Sequence, residues 1–136
     1  MAQIGLLEDN VRIARLCATM LQYAGHQVTV YEHPRQCLDD LLVTSSSPPI
    51  ASAKRVPLDM LIIDLNLPDI SGLEVVNSLL AHPLTKSLPL IFCTAASALE
   101  INQVLQLTPH ACCIGKPFTY QELTSAVSGV EATLAH

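Results

Sequence analysis

The sequence predicts an α/β fold: one doubly wound (βα)5 domain, with a five-stranded parallel sheet between two layers of helices. Short apolar segments that are typical of buried strands alternate five times with segments of helical period. Residues 58–64 contain a near-continuous apolar run, which suits a central strand covered on both faces. Charged or hydroxyl side chains end four of the five predicted strands, and parallel sheets carry their functional sites at that edge.

The composition favours one class of protein and argues against others. The 136 residues, half of them apolar, suffice for one domain over residues 1–136 with a core on each face of a sheet. The net charge of −5 argues against direct nucleic-acid binding, which needs a dense basic face. The cysteines show no C-x-x-C spacing, and no stretch resembles a signal peptide or a membrane span. We therefore expect a cytoplasmic protein with reduced thiols.

The first strand–helix unit follows from a change of period. Residues 3–7 predict a buried strand, and a helix follows from Val11. Asp9 or Asn10 can cap this helix, and Gly25 can end it in a left-handed turn. The predicted inner face of the helix consists of Ile13, Leu16, Cys17, Met20, Leu21 and Ala24.

The second unit ends in a segment without period. A strand near residues 28–31 leads to a helix from Pro34, with three leucines facing inward. Residues 44–57 are rich in serine and proline and predict an exposed loop insertion. A tolerated surface insertion is the favoured interpretation, ahead of a functional lid.

The second half of the chain repeats the alternation three times. After the central strand the predicted elements are a helix from about Ser71, a strand at 90–94, a helix at 95–107, a strand at 110–114 and a helix at 119–134. The last helix opens with a capping box, Thr119 to Glu122.

Single residues carry further expectations. Tyr23 and Tyr31 should lie partly in the core, and the five histidines, scattered without ligand spacing, should be surface or loop residues. Cys112 and Cys113 are neighbours in a strand, so their side chains should point to opposite faces. Core packing is favoured over a redox role for both.

The side chains at the strand ends carry the chemistry. Strand one ends at Glu8 and Asp9, strand three at Asp64, strand four at Thr94 and strand five at Lys116. In a parallel sheet these residues meet at one edge, where three neighbouring carboxylates repel one another unless a cation lies between them. An all-oxygen site suits Mg²⁺, and the ammonium can hold an anion. A carboxylate in such a site can attack a phosphoryl group and form an acyl phosphate.

These residues resemble the receiver domains of two-component response regulators, the CheY-like family. The matching pieces are Glu8–Asp9, Asp64 within IIDLNLPDISG, Thr94–Ala95 and Lys116–Pro117, in that order and each at a strand end. The resemblance covers essentially the whole chain, and the Ser/Pro-rich loop lengthens the interval before Asp64. It implies a flavodoxin-like sheet with the strand order 2-1-3-4-5.

The resemblance implies a magnesium site. Asp9 and Asp64 would bind Mg²⁺ directly, with the backbone carbonyl of Asn66 as a third protein ligand. Glu8 would act largely through water bound to the metal. Gly72 would let the loop after Asp64 turn into the third helix.

The resemblance also implies phosphorylation at Asp64. Lys116 would pair with the phosphoryl group at the Thr94–Ala95 segment, and Thr94 would move toward it as a switch. The bond between Lys116 and Pro117 would be cis. The family usually carries Tyr or Phe where this chain has Cys113, and this departure bears on how Thr94 is coupled to the rest of the switch.

The implied function is phosphorelay signalling. A sensor histidine kinase or phosphotransfer protein would donate phosphate to Asp64, and the phosphorylated fold would bind a downstream protein or a fused output domain differently. The domain would catalyse only its own phosphorylation and dephosphorylation, so we do not expect an enzyme, nor a nucleic-acid or membrane partner. Leu99, Val104 and Leu107 suggest a homodimer face made by helix four, strand five and helix five.

Two alternatives come from other classes. A docking or dimerisation module with a receiver fold would not use the phosphate; Cys113 favours it, and the complete acid triad argues against it. A phosphatase of the haloacid-dehalogenase type also has an aspartyl nucleophile after a strand. That family needs a second Asp where this chain has Asn66, and it carries a cap domain that this sequence does not show.

Overall fold

The computed structural model describes residues 2–46, 58–65, 67, 71–83, 85–95 and 97–134. Strands and helices alternate five times, as the sequence predicts. The elements are β1 (Gln3–Leu7), α1 (Val11–Tyr23), β2 (Gln27–Tyr31), α2 (Pro34–Ser46), β3 (Met60–Ile63), α3 (Gly72–Leu80), β4 (Leu90–Thr94), α4 (Ala98–Leu107), β5 (Cys112–Gly115) and α5 (Tyr120–Leu134). In the part of the chain that is described, no helix combines the length and the apolar character that a membrane crossing requires.

The strands form one parallel sheet in the order β2-β1-β3-β4-β5. The predicted fold class and strand order are therefore confirmed. Leu7 is in register with Ile63, and Thr94 is in register with Gly115. Ile63 is in register with Phe92, so β1 and β3 end level with each other, and β4 and β5 end level two residues further on. The residues that follow these four strands therefore meet at one edge of the sheet.

Each face of the sheet carries its own core. β3 is buried along its whole length, which explains its continuous apolar sequence. The core on one face is built around Phe92 with side chains from α2, α3 and α4. The core on the other face is built around Ile62 and Ile91 with side chains from α1 and α5. Burial of each large apolar side chain contributes about 1.5–3 kcal/mol, so the two cores fix the strands that carry the site.

The predicted loop at 44–57 was wrong at its start. α2 continues through residues 44–46 and ends at Ser46. Serine and threonine lower helix stability only slightly, whereas the residue before a proline disfavours helical geometry. Pro48 therefore favours a helix end close to Ser46, where α2 ends. The rest of the predicted loop, residues 47–57, lies outside the described residues.

Three predicted burials were also wrong, those of Leu16, Tyr23 and Ala24, all of which are exposed. Leu16 is 54% exposed, because the buried stripe of α1 runs through Ala14, Cys17 and Leu21 instead. Tyr23 is 85% exposed, and only Tyr31 of the two tyrosines belongs to the core. His26 lies in the loop between α1 and β2, one of the two predicted locations, but it is buried there, and its Nδ1 accepts a hydrogen bond from the backbone N–H of Ala2 at 3.0 Å.

The fourth helix differs from its prediction at its start. It begins at Ala98 because the hydroxyl of Ser97 caps it, accepting the backbone N–H of Glu100 at 3.3 Å. Val104 is buried in the core and is not available to a homodimer face, whereas Leu99 is 69% exposed.

The capping box of the last helix is confirmed. The hydroxyl of Thr119 accepts the N–H of Glu122 at 3.1 Å, and the Glu122 carboxylate accepts the N–H of Thr119 at 2.9 Å. These reciprocal bonds fix the entry of α5 directly after the strand end that carries Lys116. The strand itself begins at Cys112, two residues later than predicted.

Two glycines give a matched test of the packing. The N–H of Gly72 donates to the Leu65 carbonyl at 3.3 Å, and a Cβ at position 72 would lie 2.7 Å from Leu65 Cα. Gly72→Ala should therefore lower the free energy of unfolding by about 1–3 kcal/mol. At Gly129 in α5 no described atom lies within 4 Å of an added Cβ, so Gly129→Ala should raise it by about 0.5–1 kcal/mol.

Urea unfolding of the two variants and the parent measures both effects. A neutral or stabilising Gly72→Ala, or a destabilising Gly129→Ala, would contradict this description of the packing.

Candidate functional site

β1 delivers the first carboxylate of the site. Glu8 is buried directly after the strand, and its backbone N–H donates to the Tyr31 carbonyl at 3.1 Å. Its carboxylate accepts the backbone N–H of Asn10 at 3.3 Å. The Asn10 side chain in turn caps α1 by accepting the N–H groups of Arg12 and Ile13. The turn between β1 and α1 therefore holds Glu8 in place.

Asp9 and Asp64 complete the acid cluster. Asp64 is buried after β3, and its backbone N–H donates to the Leu7 carbonyl at 3.0 Å, which ties it to the end of β1. Asp9 is exposed beside Glu8. One carboxylate oxygen from each of the three acids lies within 4.8 Å of the others. The strand ends thus bring together the three acids that the sequence singles out.

Lys116 lies against two of these acids. Its Nζ forms an ion pair with Glu8 Oε1 and lies 3.2 Å from Asp64 Oδ2. Its backbone N–H donates to the Thr94 carbonyl at 3.0 Å, and the bond between Lys116 and Pro117 is cis. The side chains of the three ion-paired residues are at most 14% exposed, so solvent screens these interactions much less than on an open surface.

Burial raises the pKa of Glu8 to about 7, because loss of hydration outweighs the opposing effect of Lys116, and Asp64 adds to the rise. Burial lowers the pKa of Lys116, but its contacts with Glu8 and Asp64 outweigh this and place the pKa above its ordinary value. The folded chain therefore binds the Glu8 proton more tightly than the unfolded chain does. The metal-free protein should lose stability as the pH rises from about 4.5 through about 7.

Thr94 and Cys113 lie beside the cluster. Thr94 is buried at the end of β4, and Ala95 is exposed next to it. Cys113 is half-buried and packs against the core that contains Phe92, to which it is in register. Strand alternation places Thr94 on that same face, so Thr94 and Cys113 lie on one face of the sheet in neighbouring strands, two positions apart in register. Burial raises the pKa of Cys113, which keeps the thiol protonated.

Asn66 is the one predicted ligand that lies outside the described residues. The sequence reasoning also missed a contact, the pairing of Lys116 with Glu8. Its only signal is electrostatic: two buried carboxylates require a nearby cation, and Lys116 is the lysine at the same sheet edge.

The donor set fits a hard divalent cation. Carboxylate oxygens within 4.8 Å of one another need little movement to reach the spacing of about 3–4 Å on an octahedral magnesium ion. The neighbouring thiols do not compete, because burial raises the pKa of Cys17 to about 11 and that of Cys93 to about 12.

The sequence matches the family model for the response regulator receiver domain over residues 4–128. It is 37% identical over 126 residues to the transcriptional regulatory protein CreB of Escherichia coli, covering 91% of this chain and 48% of that protein. It is 30% identical over 129 residues to the phosphate regulon transcriptional regulatory protein PhoB of Rhizobium meliloti, covering 94% and 51%. The chain thus spans about half the length of the curated relatives it matches.

Solved structures agree on the fold. The chemotaxis protein CheY4 of Vibrio cholerae superimposes with a TM-score of 0.79 at 22% identity, covering 96% of this chain and 98% of that one. A response regulator receiver domain protein of Clostridium thermocellum gives a TM-score of 0.77 at 21% identity, with both chains fully covered. At sequence identities of 21–22%, the similarity to these structures shows a shared fold and nothing more specific.

The pKa of Glu8 predicts how magnesium affinity depends on pH. A cation at the acid cluster must displace the Glu8 proton, so the affinity should rise about tenfold between pH 6 and pH 8. Glu8→Gln should remove this rise, whereas Glu32→Gln, at an exposed acid after β2, should retain it. Titration calorimetry at the two pH values measures the effect. Equal dissociation constants for the parent protein at pH 6 and pH 8 would refute the assignment.

Proposed function

The chain belongs to the response regulator receiver domain family, and we propose that it is a phosphate-accepting domain that is phosphorylated on Asp64. One observation carries this proposal: the carboxylates of Glu8, Asp9 and Asp64 converge at one sheet edge, with the ammonium of Lys116 between two of them. The donor would be a sensor histidine kinase or a phosphotransfer protein, in the cytoplasm.

In the proposed reaction, a carboxylate oxygen of Asp64 attacks the phosphorus of a phosphohistidine. An O–P bond forms, the P–N bond breaks, and the departing imidazole nitrogen keeps the electron pair and takes up a proton. Lys116, 3.2 Å from Asp64 Oδ2, is close enough to neutralise charge on the phosphoryl oxygens. The burial of Asp64 strengthens this electrostatic stabilisation.

Mg²⁺ would supply further neutralisation of the phosphoryl charge when bound. Asp9, Asp64 and the backbone carbonyl of Asn66 would hold it directly, and Glu8 would hold it through water. Without a metal, Lys116 is shared between two acids. With the charge of Glu8 compensated, the Lys116 ammonium would be available to the phosphoryl group, so metal binding and phosphorylation would be coupled through Lys116.

The response to phosphorylation would begin at Thr94. Its hydroxyl would turn toward the new phosphoryl oxygens, and the segment from Thr94 leads into α4. Cys113 is smaller than the family's usual aromatic residue, so movement of Thr94 would be transmitted by repacking of α4 and β5 rather than by an aromatic side chain. The consequence would be altered binding of a downstream protein or of a fused output domain.

The domain would act catalytically only on itself, in gaining and losing its own phosphate. A docking or dimerisation module that never uses the phosphate remains the second candidate, favoured only by Cys113. The two candidates differ in one measurable property, the reactivity of Asp64.

Acetyl phosphate with Mg²⁺ should place one phosphoryl group on the chain, detected by intact-mass spectrometry. Asp64→Asn should abolish the reaction because the attacking oxygen is lost. Lys116→Met should slow it by about 10²-fold because charge on the transferring group is no longer neutralised. Asp39→Asn, at an exposed acid of α2, is the matched control and should react like the parent.

A parent protein that stays unmodified, or an Asp64→Asn variant that is modified equally well, would overturn the proposal in favour of the docking module. Chelation of the metal by EDTA should also stop the reaction.

A further inference from the structure

A second candidate site lies at the opposite edge of the sheet from the acids. There a cavity of about 770 Å³ opens between the loops that precede β4 and β5 and the second half of α5. Its volume is in the range of small-molecule sites in proteins, roughly 300–1,000 Å³. None of the acid-site residues lines it, so the proposed phosphorylation of Asp64 makes no use of this cavity.

The walls of the cavity combine apolar and polar residues. Leucine, proline, alanine and valine make up nine of its 18 described lining residues. Thr85, Thr108 and Thr133 also line it, and each donates its hydroxyl to a backbone carbonyl nearby, at 2.6, 2.7 and 2.7 Å. Because these three donors are already used, hydrocarbon can lie against the apolar part of the wall, while Ser87 and Ser125 add hydroxyl groups to the rest.

Lys86 gives the cavity a positive charge. None of its described lining residues is an Asp or a Glu, and the side chain of His110 lies in the same lining. Glu131, an acid in the same part of α5, lies instead 3.8 Å from His26 Nε2. In a chain with a net charge of −5, a cavity lined by a lysine and by no carboxylate favours an anionic ligand group.

Gly129 keeps the cavity open. It lies inside α5, where glycine lowers helix stability relative to alanine. Neither a positive φ nor a close neighbour among the described residues requires glycine there. In the structure, Gly129 instead lines the cavity, and a larger side chain at this position would fill part of it.

We propose that this cavity binds a small amphiphile, a hydrocarbon chain with one anionic end. The hydrocarbon would lie along the apolar walls beside Gly129, and the anionic end would lie at Lys86 and His110. This ligand fits within the cavity and matches its apolar side chains and the positive charge of Lys86.

Two adjacent cysteines provide the test. Cys112 lines the cavity, whereas Cys113 packs on the other face of the sheet. Alkylation by iodoacetamide can be followed at Cys112 in a Cys113→Ser variant and at Cys113 in a Cys112→Ser variant. Saturating decanoate, kept below its micelle concentration, should slow alkylation of Cys112 about tenfold and leave Cys113 unchanged. Decyltrimethylammonium, with the same chain and the opposite charge, should not protect Cys112.

Two further variants locate the ligand. Gly129→Leu should abolish the protection by filling the cavity. Lys86→Gln, at an exposed position that leaves the fold intact, should raise the decanoate concentration needed for half-protection about fivefold. Absence of protection at Cys112, equal protection at Cys113, or protection that is the same with the cationic amphiphile or in Lys86→Gln would each overturn the proposal. None of these results depends on whether Asp64 accepts phosphate.

Discussion

The ion pairing of Lys116 with Glu8 and Asp64 is the interaction on which the site depends. Each charge removed from water costs several kcal/mol unless it is paired, and two of the carboxylates here are buried. The pairing requires that β1, β3 and β5 deliver the residues that follow them to the same edge of the sheet. The parallel register provides this, with β1 and β3 ending level and β5 ending two residues further on. The alignment of the strands therefore places Lys116 against Glu8 and Asp64, and this pairing offsets the free-energy cost of burying two carboxylates.

The site is also incompletely neutralised. One ammonium lies between two buried carboxylates, with a third beside them. Burial is the main cause of the high pKa of Glu8, and the neighbouring Asp64 carboxylate adds to the rise. A divalent cation held by the three acids would supply the missing charge and displace the proton. The coupling proposed above, in which metal binding frees Lys116 for a phosphoryl group, follows from this charge balance rather than from any single contact.

The sequence predicted the parts that depend on local pattern. The five alternating units, the parallel sheet and the convergence of Glu8, Asp9, Asp64 and Lys116 all follow from periodicity and from the side chains at the strand ends. Contacts between segments far apart in the chain were harder to predict from the sequence. The pair of Lys116 and Glu8 joins residues 108 positions apart and depends on where two side chains point.

The same reason accounts for the errors and omissions. Leu16 and His26 have the exposure that neighbours from other elements impose, which a single helix or strand pattern does not contain. The cavity at the far edge arises from two loops and one helix meeting around Gly129, and no motif in the sequence marks it. Cys113 is a third example. The sequence shows that a small residue replaces the family's usual aromatic residue, but how this replacement affects Thr94 depends on the packing between strands and helices.

A crystal structure of the protein with Mg²⁺ and beryllofluoride tests the central claim most directly. The account predicts a metal ion about 2.1 Å from carboxylate oxygens of Asp9 and Asp64, beryllofluoride on Asp64, and the Lys116 ammonium moved from Glu8 to a fluorine atom. A metal ion bound away from the three acids, or a Lys116 that stays on Glu8 while beryllofluoride occupies Asp64, would contradict it.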